Sequence, residues 1–446
     1  MPGPRITFVG GGSYTWAPQF IRDIAITPEL EGSTIVLHDI APAPLELVTL
    51  LGQTIIEARG GAVTLAKTLD LDEALDGADF VLLTITTGGL EAMRYDLEIP
   101  ERYSIYHSVG DTVGPGGLAR ALRNIPVVVQ IARRMEARCS DAWLLNYTNP
   151  MTTLCRAVTR ETRVKTIGLC HEWLGVRRHL ATLFGVRDAE VQATPGGINH
   201  FTWITDLRIR GQDAFPRFRE MAARILAGDL LVDADETRSY ADHFKVKSRL
   251  FQVYGALPAA GDRHVAEFFP YFLSDGAKRG AAYGIWRTSV NERYEWQAQA
   301  RAIIEGLLSG KIDLRPHLRQ DSGEAANKII RALLGGEPYS GPMNLPNRDQ
   351  ISDLPTDAVV ETFGVVNASG VSPMPFGRLP RGVAPVVRRH VDNQEMTVDA
   401  ALTGNRDLAL QILANDPMLC DLASAETMLE EMLEANRRYL PRFFET

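Results

Sequence analysis

Cysteine is scarce in this sequence, with four residues in 446: Cys139, Cys155, Cys170 and Cys420. No two form a CxxC pair, and so sparse a set supports no disulfide framework, which points to a reducing, intracellular setting. Also missing are any run of eighteen apolar residues and a charged leader followed by an apolar stretch. Neither membrane spanning nor secretion is signalled, and a cytoplasmic location is expected. Basic charge is in deficit: 47 Lys and Arg against 55 Asp and Glu leave a formal charge of −8. A nucleic-acid backbone therefore finds no long-range attraction. Repeats and low-complexity tracts are absent, and Pro (25) and Gly (38) fall far short of a collagen-like or disordered composition. What is present is a globular chain, 45% hydrophobic and 23% charged, long enough for two or three domains of roughly 150 residues each.

Its first third alternates short apolar runs with amphipathic stretches, the pattern of a parallel sheet with covering helices. Strands are expected over 5–9, 34–38, 63–67, 80–85, 142–145 and 165–169, and helices over 17–26, 45–58 and 118–137. From about Val191 the texture changes. Strands at 191–193 and 201–210 precede helical patterns at 215–227, 238–254, 291–308 and 323–334, and 397–438 is helical again. The stretch 338–385, rich in Pro, Gly and Asn, reads as ordered irregular structure with short strands such as 358–362. The fold class is α/β, with an N-terminal Rossmann-type doubly wound sheet over 1–195 and a mixed α+β domain over 196–446.

Gly10-Gly11-Gly12-Ser13 follows the first strand and opens a helix, where a dinucleotide pyrophosphate rests on backbone N–H groups. The third glycine of GxGxxG is replaced by Thr15, so position has to strengthen the motif. It does, because the second strand ends in Asp39, 27 residues past Gly12. A carboxylate there accepts hydrogen bonds from the ribose hydroxyls and repels a 2′-phosphate, which selects NAD over NADP. The loop Thr86-Thr87-Gly88-Gly89 lies at the same carboxyl edge, where open α/β sheets bind ligands.

Gly168-Leu-Cys170-His171-Glu172 follows another predicted strand, and Gly197-Ile-Asn-His200-Phe201 opens a new one. Thiolate and imidazole are both competent metal ligands. Cys170 and His200 are thus either ligands or a buried hydrophobe and a core histidine, and Asn149 in Asn146-Tyr-Thr-Asn-Pro150 is either a helix cap or a ligand for substrate hydroxyls. Gly261–Glu267 packs four titratable side chains beside an aromatic run, which favours a site over a solvated face. Arg94 and Arg123 read as solvated helix charges unless a site claims them.

Together these strings, from Phe8-Val-Gly-Gly-Gly-Ser13 to Gly197-Ile-Asn-His-Phe201, resemble glycoside hydrolase family 4 over nearly the whole chain. The resemblance implies an NAD- and Mn²⁺-dependent glycosidase on a fold shared with lactate and malate dehydrogenases. It implies that Gly10, Gly11, Gly12, Ser13, Asp39, Thr86 and Asn149 meet NAD, that Cys170 and His200 hold Mn²⁺, and that Asn149 and Arg94 lie at the substrate. Asp262 would be the base, with Tyr271 the phenolic alternative, and His171 would assist the leaving group. A Cys-His-Glu string resembles the members acting on unphosphorylated α-glucosides. Relatives acting on galactosides and uronides share most of the motifs, and a uronate would want a basic partner such as Arg263. Val109-Gly-Asp111-Thr112 departs from the common Gly-Gln-Glu-Thr. A homodimer or homotetramer is expected. The rivals are an NAD-dependent hydroxy-acid dehydrogenase, which would need no metal, and a redox-sensing NAD-binding protein without catalysis.

Overall fold

The computed structural model describes residues 3–60, 63–232, 241–318, 321–419 and 421–445. Cys420 and the first residues of the helix expected over 238–254 lie outside the described residues. Runs that are apolar almost throughout form strands buried on both faces: β1 (Arg5–Val9), β2 (Thr34–His38), β3 (Thr64–Thr68), β4 (Phe80–Leu83), β5 (Trp143–Asn146) and β6 (Lys165–Gly168). Only β3, at the edge, is largely exposed. All six are parallel in the order β3-β2-β1-β4-β5-β6, the doubly wound order of dinucleotide-binding halves. Between them run α1 (Trp16–Ile26), α2 (Pro42–Arg59), α3 (Leu71–Leu75), α4 (Gly89–Glu101), α5 (Gly114–Arg138) and α6 (Met151–Glu161), with α7 (Glu172–Phe184) following β6.

Beyond β6 the same sheet continues with mostly antiparallel strands: β7 (Val191–Ile198), β8 (Phe201–Ile209), β9 (Gln212–Asp213), β10 (Leu257–Pro258), β11 (Tyr339–Pro346), β12 (Val359–Asn367) and β13 (Gly370–Pro373). The order is β6-β11-β12-β7-β8-β10. The stretch 338–385, expected to be irregular with short strands such as 358–362, supplies two long strands in the middle of the sheet, and the expected strand is the start of β12. Prolines and a glycine hide β11, which pairs fully with β12 but meets β6 at one register position, leaving room for Pro342 and Pro346, which cannot donate. Helices α8 (Phe215–Ala227) and α9 (Lys245–Tyr254) cover β7 and β8 together with α7. After α10 (Asp262–Val265), α11 (Val290–Leu308) and α12 (Ala326–Leu333) join α1 and α2 on one face. On the other, α13 (Ala384–Thr403), α14 (Arg406–Asn415) and α15 (Leu422–Ala435) pack against α5 and α6. No helix among the described residues is long and apolar enough to cross a membrane.

One row of register pairs crosses the sheet: Thr68, His38, Val9, Leu83, Asn146, Gly168, Asn344, Glu361 and Gly197 are successive partners. The loops that follow this row at β1, β2, β4, β5, β6 and β7 all emerge on one edge. They carry Gly10–Ser13, Asp39, Thr86, Asn149, Cys170 and His200.

Candidate active site

At the nucleotide end of the edge, the N–H groups of Gly10 and Gly11 both donate to the His38 carbonyl, at 2.9 and 2.8 Å, which pins the glycine loop to β2. Gly10 has φ +98°, and a Cβ there would lie 2.2 Å from the Thr84 carbonyl oxygen, so only glycine fits. Asp39 accepts from the Gly12 N–H at 2.9 Å and from the Ala41 N–H at 3.0 Å. Its carboxylate is held against the loop, partly exposed, at the position from which ribose hydroxyls are read. Ser13 caps the turn into α1 through a bond from the Trp16 N–H, and Thr86 is exposed on the neighbouring loop. The residues fit a dinucleotide: three glycines in a row bare the backbone, the loop opens a helix, and an acid lies beside it.

Further along the edge, Asp111, His200 and His264 are brought together, with ligand atoms within 4.8 Å of one another. His200 sits at the apex of the β7–β8 hairpin with φ +63°, a conformation that costs a non-glycine residue free energy and recurs at functional sites. Its Nδ1 bonds the Thr112 hydroxyl at 2.8 Å, and its ring stacks on His264 with centroids 3.8 Å apart. Asp111 accepts from Thr112 Oγ1 at 2.6 Å and from Asn149 Nδ2 at 3.2 Å. Burial raises the Asp111 carboxyl, but the charges of His200, His264 and Arg120 outweigh it and hold the group well below the usual carboxylate range. Burial and the adjacent His200 push His264 down to about 4, so its imidazole is neutral at pH 7. Three donors of this chemistry suit a divalent cation, and the buried Asn149 Oδ1 beside them has no partner among the described residues.

Cys170 lies outside that trio. It is packed beside Met151, Cys155 and Val359 and is hydrogen-bonded to the side chain of Asn199, the residue before His200. Burial, with Glu361 and Glu172 nearby, pushes its thiol well up, the state a bound cation would reverse. Glu361 Oε2 accepts from Asn199 and Asn344 at 2.8 and 2.9 Å, bracing the end of the register row. Glu172, the first residue of α7, accepts from the Gly261 N–H at 2.6 Å and lies 3.6 Å from His264 Nε2. Burial opposes its ionisation, yet His264, His200 and His171 hold its carboxyl down at about 2. Buried Glu267 in turn accepts from the N–H groups of Val109 and Gly110 at 2.7 and 2.9 Å, fixing the lead-in to Asp111.

Other expected residues are placed differently. Asp262 caps α9, accepting from the N–H groups of Val246 and Lys247, both at 3.0 Å, and its Oδ1 meets the buried Lys247 ammonium at 2.9 Å. A carboxylate so committed is unsuited to the base role expected of it. Tyr271 is 61% exposed and stacks on Phe269, outside the trio. Arg263 donates to Thr288 Oγ1 at 2.8 Å and to the Ser108 carbonyl. Arg94 bonds Glu98 and Asn291 on the outer side of α4. Arg123, expected to be solvated, is buried in a two-pronged pair with Asp96 at 2.7 Å. His171 is exposed, 3.4 Å from Glu324, whose hydrogen bond raises its pKa. Two residues of the site carry no motif of their own: the crowded 261–267 segment signals His264, and nothing in the sequence singles out Arg120.

The "Family 4 glycosyl hydrolase" model matches residues 5–186, and the model of that family's C-terminal domain matches residues 196–419. An α-galacturonidase of Bacillus subtilis is 35% identical over 96% of this chain and 97% of its own. One from Thermoanaerobacterium saccharolyticum is 36% identical over 98% and 96%. The crystal structure of a Bacillus subtilis protein described as a glucosidase superposes with TM-score 0.90 at 34% identity, covering 97% of this chain and 100% of that one.

Proposed function

Because this chain belongs to family 4 of the glycosyl hydrolases, we propose that it is an α-galacturonidase that uses NAD and a divalent cation such as Mn²⁺. The observation that carries the proposal is the juxtaposition of Asp111, His200 and His264 with Asn149 on the sheet edge that also presents the glycine loop and Asp39. When bound, NAD would supply reversible hydride transfer at C3 of the sugar and the cation would polarise the neighbouring oxygens, which acidifies C2–H and permits elimination of the C1 substituent before water adds back.

The chain's own residues divide this work. Gly10, Gly11, Gly12 and Ser13 receive the pyrophosphate, Asp39 the ribose, and Thr86 and Asn149 the nicotinamide side. His200 and Asp111 hold the cation, with Cys170 the soft donor beyond Asn199. His264, neutral and braced by Glu172, replaces Asp262 as the group that takes the C2 proton. His171, its pKa raised by Glu324, is the acid that serves the leaving oxygen.

The α-glucoside expected from Cys170-His171-Glu172 gives way to an α-galacturonide because relatives at 35 and 36% identity over nearly their full length carry that name. Nitrophenol release from nitrophenyl α-galacturonide, α-galactoside and α-glucoside, each with and without NAD and Mn²⁺ under reducing conditions, tests the proposal. Release from the galacturonide that needs both additives is expected. Preference for a neutral sugar, or NADH accumulating on a hydroxy acid with no release, would overturn it.

A further inference from the structure

Every residue from Thr112 to Ile125 is buried except Arg120. One turn along α5, Arg123 is fully compensated by Asp96, but no carboxylate of the described residues comes within 4 Å of the Arg120 guanidinium. Among the described residues its one hydrogen bond runs from Nε to the Asn149 carbonyl, at 2.9 Å. That bond fixes the plane of the guanidinium and leaves the paired Nη1 and Nη2 edge open. The same Asn149 bonds Asp111 through Nδ2, and its buried Oδ1 has no partner among the described residues. An open guanidinium fork and an orphaned amide oxygen therefore sit side by side against the Asp111–His200–His264 trio.

A fork of two parallel N–H donors matches a carboxylate, and a hydroxyl satisfies an amide oxygen. We propose that Arg120 is the residue that reads the substrate's charge, its Nη1 and Nη2 gripping the C6 carboxylate of a uronosyl ring while Asn149 Oδ1 accepts from a ring hydroxyl. The inference rests on the galacturonide reading and deepens it. Burial disfavours the Arg120 charge, and Asp111 and Asp96, beyond salt-bridge distance, offset only part of that, as its lowered pKa records, so an arriving anion relieves the part of the cost that remains. Arg263 is the poorer reader, since its Nη2 is already held by Thr288 and Ser108.

The test compares wild type, Arg120→Met and Arg120→Lys. The ratio of kcat/KM for nitrophenyl α-galacturonide to that for the α-galactoside is expected to fall about 100-fold in Arg120→Met, chiefly through KM. Arg120→Lys should restore part of it, since charge remains and the fork is lost. A fall in both substrates by the same factor, or a weakened Kd for NAD with the ratio unchanged, would overturn the assignment. Calorimetric titration with free D-galacturonate and D-galactose, in the presence of NAD, gives a readout without turnover: wild type should bind the acid more tightly, and Arg120→Met should lose that preference. Wild type that binds galacturonate through Arg120 yet cleaves no galacturonide would sink the functional reading and keep the inference. Galacturonide cleavage and galacturonate binding undiminished in Arg120→Met would do the reverse.

Discussion

Lys247 is completely buried, and its ammonium meets Asp242 at 2.7 Å and Asp262 at 2.9 Å. Burial would lower its pKa, but the two carboxylates outweigh that and raise it. Burial also pushes the Asp242 carboxyl up, and the backbone N–H groups at the start of α9 bond Asp262. Removing the cation would strand two buried carboxylates, a change that costs about 3–5 kcal/mol. Lys247→Met should therefore lower the urea-unfolding free energy by that amount. Asp262→Asn keeps the shape and one carbonyl acceptor and should cost about 1–2 kcal/mol, with kcat of the folded protein falling less than tenfold. A loss of turnover above a thousandfold with stability unchanged would return the base role to Asp262. The distinction between Asp262 and His264 turns on two positions of a short helix. Residues two apart on a helix point in widely different directions, so if Asp262 faces α9, His264 faces the crevice.

At the scale of elements, the continuous apolar runs of β1, β2, β4, β5 and β6 are legible in the sequence because strands buried on both faces leave no other pattern. The glycine loop and Asp39 are legible for a related reason: they directly follow those runs. Strand β11 was not, since its prolines and glycine imitate a loop until its neighbours are known, and of β12 only the start, within 358–362, was. Nor could periodicity show that positions 111, 120, 149, 200 and 264 converge, because four different stretches of chain meet there only through the sheet. The join between its parallel and antiparallel parts is narrow, one register pair between Gly168 and Asn344, and within the antiparallel part β12 meets β7 at one pair, Glu361 and Gly197. A Cβ on Gly168 would stand 2.8 Å from Asn344 Cβ and 2.9 Å from Cys155 Sγ, closer than either can give way to. Gly168→Ala should thus force β6 and β11 apart, at a cost of about 1–3 kcal/mol. Because Cys170 lies two residues on, the same variant should weaken Mn²⁺ binding, which calorimetry reads directly. Wild-type stability and Mn²⁺ affinity together would show that the join tolerates the methyl and does not set the site.

Over the whole molecule, acid stability is governed by buried groups whose effects oppose one another. His390 of α13 and Asp416, just after α14, line one cavity of about 30 Å³ together with Asn393 and the start of α5. Burial, with Arg389 adjacent, pushes His390 down to about 4. Its contribution is present above the ordinary 6.5 and is lost as pH falls toward 4, since the unfolded chain then binds a proton that the folded one refuses. Burial raises Asp416 to about 6 against the bonds it accepts from the N–H groups of Gly114 and Met418. There the sign reverses: the folded chain takes up the proton first, so stability is gained as pH falls from 6 toward the ordinary carboxylate value. Each displacement corresponds to roughly 3 kcal/mol, and across pH 4–6 the two nearly cancel. Carboxylates held low, such as Glu172, add a loss at still lower pH that is common to every variant. His390→Gln should therefore gain stability relative to wild type as pH falls from 7 to 4.5, and Asp416→Asn should lose it. Urea midpoints at intervals over that range read the two slopes. Three parallel curves would mean that neither group carries its burial into the folding equilibrium.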